Sequence, residues 1–205
     1  MNDLALRRKH LAEALMRDSI CEATATVLAE VGFASLTMDR VAQAADVSKG
    51  TLYNYFRDRD SLLMELVENT LKPLQTRMAK LFETCDDVPQ VLVEAIGTIL
   101  SYVEHELGVG KVFCENQLPA LIEARFRSHH MQVRSQFAGV FERAANNGRL
   151  RESCSEPAKA ARLLLITLHG LIEERILHPE DCPPLDEELE FLTQSMINPW
   201  FKETE

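Results

Sequence analysis

Long stretches of helical hydrophobic period, broken by a few glycines and prolines, constrain this chain more than any other feature of its sequence. Eight glycines and eight prolines serve 205 residues, and most of them fall between such stretches. Runs of β-branched residues are absent, so no strand is expected. The first stretch runs from about Leu4 to Val31, with Leu11, Leu15, Ile20, Val27, Leu28 and Val31 on its apolar face. Gly32 then suits a residue of positive φ just past the helix end. Two short pieces follow, TMDRVAQAA and SKGTLYNYF, each too short to be stable alone.

Another helix is expected near Asp58, with Asp60 in its first turn, where a helix N-terminus favours negative charge. It continues past Pro73 to about Thr84. Asp87-Val-Pro-Gln reads as the next start, with Asp as cap, Pro in the first turn and Gln at the third position. That helix, roughly 88–107, ends at Gly108 and Gly110; a short helix over KVFCENQL precedes Pro119, and a long one reaches about Asn147 before Gly148. Ser155-Glu-Pro opens a helix to His178, and the last runs from near Asp186 to Pro199. The expectation is an all-α protein of about nine helices.

The formal net charge of −10 argues against a basic nucleic-acid coat or a membrane-surface binder. It does not exclude a small DNA-reading surface, because residues 1–65 carry a net charge of only −2 and residues 66–205 carry −8. Five cysteines, odd in number and widely spaced with no CxxC pair, indicate neither a disulfide framework nor a zinc ribbon. No secretory leader or membrane span is legible, so a soluble, cytoplasmic protein without a bound cofactor or metal is expected.

Residues 37–56 carry the most specific chemistry. Thr37 can cap a helix whose buried face is Val41, Ala42 and Ala45. Asp46 sits at a turn, Val47 plugs the angle between two helices, and Ser48 can cap the second. Small residues at 42, 44 and 45 allow two helices to cross closely, as a helix-turn-helix requires. The second helix then shows Lys49, Gly50, Thr51, Tyr53, Asn54 and Tyr55, while Leu52 and Phe56 face inward. Short polar and aromatic side chains around a glycine suit a helix that sits deep in a major groove.

The stretch AADVSKGTLYNYFRDRDSLL, with Ile20, Ala23, Leu28, Gly32, Thr37 and Val41-Ala42 upstream, resembles the recognition segment of the tetracycline-repressor (TetR) family of bacterial transcriptional regulators. The resemblance covers about residues 15–66. It implies a helix-turn-helix DNA-binding domain over 1–60 and a helical effector-binding and dimerisation domain over 61–205. It also implies that Thr37, Tyr53 and Arg59 contact phosphates, that Lys49, Gly50 and Thr51 approach bases or nearby phosphates, and that Asn54 and Tyr55 complete the reading face beside the Ser48 cap. Two positions depart from the family pattern. Asp46 stands where glycine is commonest, and Asp tolerates the left-handed region better than most residues. Asn54 stands where a larger ring or a basic side chain is frequent; a bidentate bond to adenine and a phosphate contact both remain open to it.

In the carboxy-terminal part, LLLITLHGLI at 163–172 is apolar around the whole helix circumference and must be covered on all sides. A homodimer through a four-helix bundle is the economical arrangement, with Leu164, Leu168, Gly170 and Leu171 meeting Leu189, Leu192 and Met196. The resemblance places a small-molecule effector among the middle helices. Candidate linings are Tyr102, His105, Phe113, Cys114 and Asn116, then Phe126, His130, Phe137, Thr167 and His169. His129-His130 with Cys114 makes a poor metal set, since adjacent histidines point to different helix faces. No motif supplies the converging acid, base and nucleophile of an enzyme. The reading is therefore a ligand-responsive repressor binding a near-palindromic operator on double-stranded DNA; a regulator without an effector is the alternative, and a helical enzyme a remote one.

Overall fold

The computed structural model describes residues 3–84, 87–105, 118–154 and 156–202. Eight α-helices form among them: α1 (Asp3–Val31), α2 (Met38–Ala44), α3 (Lys49–Tyr55), α4 (Arg59–Thr84), α5 (Val88–His105), α6 (Ala120–Asn146), α7 (Pro157–Leu177) and α8 (Leu185–Leu192). A single π turn and a short 3₁₀ turn extend α8 to Trp200. The expected helix over 111–117 and the glycines at 108 and 110 lie outside the described residues.

Local chemistry sets the ends of these helices. Gly32 (φ 71°) and Gly148 (φ 66°) follow α1 and α6 in the left-handed region, and the Gly32 N–H donates to Leu28 O at 2.9 Å. At the start of α4 the Asp58 carboxylate accepts from Ser61 N–H at 2.8 Å, and Ser61 Oγ accepts from Asp58 N–H at 3.1 Å. This reciprocal pair satisfies donors that the first turn leaves open. Together with the Arg57 guanidinium, it holds the Asp58 carboxyl below its ordinary value.

Two units pack separately: residues 3–71 with 118–123, and residues 72–105 with 124–202. The division falls within α4 rather than at the expected residue 60, because Leu62, Leu63, Leu66, Val67 and Leu71 are all buried in the first unit. Burial on α1 begins at Ile20. Leu11 and Leu15, expected on its core face, are 61% and 60% exposed, since no element covers the first turns of this long helix among the described residues.

The second unit is built on α5. Val88, Val91, Leu92, Ala95, Ile96, Ile99 and Leu100 follow the 3.6-residue period and are buried. Each large aliphatic side chain among them contributes roughly 1.5–3 kcal/mol on leaving water. Phe137 meets Phe82 edge-on with ring centroids 5.2 Å apart, and Phe141 stacks on Phe201 at 5.9 Å. Arg175 is a charged side chain inside this unit, 4% exposed. Glu188 takes its Nε and Nη2 at 3.1 and 2.6 Å, Pro183 O accepts at 3.0 Å, and Glu104 accepts from Nη1. One guanidinium thereby ties the end of α5 and the start of α8 to α7.

Candidate nucleic-acid interface

The α2–α3 corner forms because each end of each short helix is satisfied locally. Thr37 is extended (φ −131°, ψ 151°) and its hydroxyl accepts from Arg40 N–H at 3.3 Å. After α2, Asp46 adopts φ 53°, the sole positive φ outside glycine among the described residues. That turn lets Val47 N–H donate to Ala42 O at 3.0 Å. Ser48 Oγ then accepts from Thr51 N–H at 3.0 Å and lies 2.8 Å from the Thr51 hydroxyl. Val41 and Ala42 are buried and Ala45 half-buried, as the crossing of two close helices demands.

On α3, Leu52 and the following Phe56 are buried, whereas Lys49, Gly50, Tyr53 and Asn54 are exposed. Thr51 and Tyr55 are half-buried, and Thr37 and Ser48 lie exposed beside them. Gly50 is informative. A methyl group built there would meet only Ser48 Oγ, at 3.8 Å, an ordinary contact. No contact among the described residues requires a glycine at this position, which lies exposed on α3.

Charge on this face is more committed than the sequence suggests. The Lys49 ammonium pairs with the Asp39 carboxylate at 2.5 Å, and that hydrogen bond raises the lysine's proton affinity. Arg59 is half-buried with its guanidinium 4.6 Å from the centre of the Phe33 ring, a cation–π contact. Arg57 is exposed and pairs with its neighbour Asp58 at 2.8 Å.

Arg17 on α1 was not singled out by the sequence. It donates to Glu65 at 2.6 Å and to Tyr55 O, at the end of α3, at 2.9 Å; its guanidinium also lies 5.0 Å from the centre of the Phe56 ring. These hydrogen-bond partners are 38 and 48 residues away along the chain, so no local pattern announces them. Cys21, close by in the first unit, is buried; burial, then Glu65 and Asp18, push its thiol up to about 12, which makes it inert as a nucleophile.

The remaining expected residues lie in the second unit or outside the described residues. Phe113, Cys114 and Asn116 are among the latter. His130 and His169 meet edge-to-face with centroids 5.1 Å apart. The adjacent His129 turns elsewhere, its Nδ1 lying 2.8 Å from Gln75 Nε2. Phe137 is part of the core, His105 is exposed with Nδ1 2.8 Å from Ser101 O, and the Thr167 hydroxyl donates to Leu163 O at 3.1 Å. Tyr102 and Phe126 are half-buried. None of these residues lines the open cleft of about 650 Å³ that the unit forms between Arg77, Lys80, Leu81, Val93, Leu185 and Leu189.

The apolar helix also differs from expectation. Leu164, Leu168 and Leu192 are buried in this chain's own core and are not available to a second copy. The exposed apolar side of α7 is instead Leu163 (49%), Ile166 (56%) and Leu177 (46%), with Gly170 exposed and Leu171 half-buried; on α8 it is Phe191 (71%), while Leu189 and Met196 are half-buried.

Two capped helices crossing at a left-handed turn, the second presenting a glycine-bearing polar face, define a helix-turn-helix protein. Residues 20–66 match the sequence profile of the "bacterial regulatory proteins, tetR family". Over that segment the chain is similar to this family. Among curated relatives, the HTH-type transcriptional regulator YhgD of Bacillus subtilis is 31% identical over 98 residues, 47% of this chain and 51% of YhgD. The HTH-type transcriptional regulator BetI of Burkholderia thailandensis is 29% identical over 82 residues, 40% of this chain and 42% of BetI. These alignments span about half the length of the relatives or less. The fold is similar to that of the transcriptional regulator FadR from Bacillus subtilis, solved in complex with stearoyl-CoA, with a TM-score of 0.76 and 16% identity over 88% of this chain and 97% of FadR. Among the described residues, no helix is long and apolar enough to cross a membrane.

Proposed function

We propose that the protein is a cytoplasmic transcriptional repressor, not an enzyme, which binds a near-palindromic operator as a homodimer and is released by a small organic ligand. The observation that carries this reading is the outer face of α3, where no contact among the described residues requires Gly50 to be a glycine and Tyr53 and Asn54 stand exposed beside it. Gly50 allows the helix backbone to approach base edges, Asn54 offers a donor and an acceptor, and the helix start at Ser48 favours a phosphate. Lys49 exchanges its Asp39 partner for a phosphate when DNA arrives.

The apolar strip of Leu163, Ile166 and Leu177, with Phe191, supports a second copy as its cover, because monomeric proteins seldom leave such a strip on one helix face. Two α3 helices related by a dyad then read half-sites about one helical turn apart, roughly 34–36 Å. Ligand acts by shifting the population toward conformers that mismatch the operator.

Selection of bound duplexes from a random pool tests this reading, followed by binding of the selected site across a salt series. A palindromic site should emerge, and Lys49→Ala should reduce the salt slope by about 0.9 for each phosphate that the lysine neutralises in the wild type. Equal affinity for selected and random duplexes would make the helix-turn-helix a packed corner only.

A further inference from the structure

Where the connection between α6 and α7 meets the end of the chain, Leu150 and Phe201 form an isolated antiparallel bridge. Arg151 N–H donates to Trp200 O and Lys202 N–H to Arg149 O, both at 2.9 Å. This pairing and the first turn of α5 enclose a cleft of about 360 Å³ whose lining includes Asp87, Gln90, Arg149, Arg151, Thr193 and Lys202. Among the described lining residues, three cationic side chains therefore face one carboxylate, in a chain whose net charge is −10.

The cations are not consumed by ion pairs among the described residues. Arg151 Nε donates to Phe201 O at 2.7 Å and Lys202 Nζ to Gly148 O at 2.9 Å, and both acceptors are neutral carbonyls. Arg149 Nε is buried with no hydrogen-bond partner among the described residues. A buried donor left unpaired is rare in folded proteins and calls for an acceptor. The start of α5 adds the positive end of a helix dipole on the same side.

We propose that this cleft binds a small phosphate-bearing anion, with the guanidinium groups of Arg149 and Arg151 and the Lys202 ammonium meeting its oxygens and balancing its charge. Guanidinium groups match the geometry of phosphate oxygens, and the cleft volume lies in the range of roughly 300–1,000 Å³ common to small-molecule sites. Its polar, cationic lining sets it apart from a site for an apolar effector. Because it joins the chain end, the α6–α7 connection and α5, an anion there fastens three segments of the second unit.

Titration calorimetry of the full chain with inorganic phosphate and with glucose 6-phosphate, at ionic strength held constant with chloride, tests the proposal. Saturable binding is expected, and Arg149→Gln should weaken it at least about tenfold. The same variant should melt in chloride as the wild type does, because Arg149 Nε has no partner among the described residues to forfeit. Lys202→Gln is the second variant should Arg149→Gln fail to fold, with weakened binding again expected. Tighter binding of the sugar phosphate assigns the site to phosphoesters, and tighter binding of inorganic phosphate assigns it to the free ion; both uphold an anion site. No saturable heat with either probe, or equal affinity in a folded variant, overturns it.

Discussion

Ile166→Glu and Leu168→Glu lie two positions apart on α7 and should fail in opposite ways. Leu168 is 4% exposed and packs in the core of its own unit. A carboxylate there loses packing worth about 2–5 kcal/mol and buries an unpaired charge at roughly 3–5 kcal/mol more. Together these approach the whole stability of an ordinary domain, about 5–15 kcal/mol, so this variant should unfold. Ile166 is 56% exposed, and in a separate chain its substitution should change stability by no more than about 0.5 kcal/mol. In a symmetric dimer the same change buries two carboxylates, at about 3 kcal/mol each. About 6 kcal/mol corresponds to about four decades in dissociation constant, enough to carry a nanomolar dimer to tens of micromolar. Sedimentation velocity across the micromolar range, with melting followed by circular dichroism, reads both effects. Ile166→Glu should be a folded monomer and Leu168→Glu should lack a cooperative melt. A wild type that sediments as a monomer, or an Ile166→Glu protein that remains dimeric, would refute the placement of the interface.

Gly50→Ala should raise helix stability by about 0.5–1 kcal/mol, since the new methyl meets only an ordinary contact, and yet should weaken operator binding; a melt paired with a gel-shift titration checks both signs, and unchanged binding would remove the groove-facing role of Gly50. Arg175→Ala leaves the Glu104 and Glu188 carboxylates without their shared cation and should cost about 3–5 kcal/mol in urea unfolding, where a change under about 1 kcal/mol would show the pairing to be dispensable. Burial, then His169, hold His130 below its ordinary value of 6.5. The unfolded chain therefore binds this proton more readily, so the contribution of His130 to stability is complete above about pH 6.5 and is lost as the pH falls toward the folded value. An NMR titration should place His130 below 6.5 and show His169→Ala moving it only part of the way back, because burial is the larger cause; full recovery would contradict that ordering.

The capping chemistry of Thr37, Ser48 and Asp58 and the left-handed turn at Asp46 were legible because each depends on residues within four positions. So were the starts and stops at Gly32, Asp87 and Gly148. The orientation of α7 was not legible. A helix that is apolar all round carries no periodic mark of which side meets its own core, so the expected interface fell on Leu164 and Leu168, which are buried, while Leu163 and Ile166 are exposed. Leu11 and Leu15 show the converse failure, having the right period but no element to cover them among the described residues. The Arg175–Glu104 and Arg17–Glu65 pairs join positions 71 and 48 residues apart, distances at which a single sequence holds no signal. The pairing of Lys49 with Asp39 likewise needed the crossing of α2 and α3 to become visible.

Under the proposed function, the hold of Arg17 on the Tyr55 carbonyl and the Phe56 ring bears on how fast and with what heat α3 would engage DNA. Seven residues make a helix too short to persist alone, and fixing their backbone costs about 1–2 kcal/mol each in conformational entropy. With its last carbonyl fastened to α1 and its first turn capped by Ser48, α3 meets that entropic cost when the chain folds rather than when DNA arrives. Encounter is then limited by diffusion and orientation and not by helix formation. The heat-capacity change of association reports the surface removed from water at the groove, without the large added component that accompanies folding of a disordered reader.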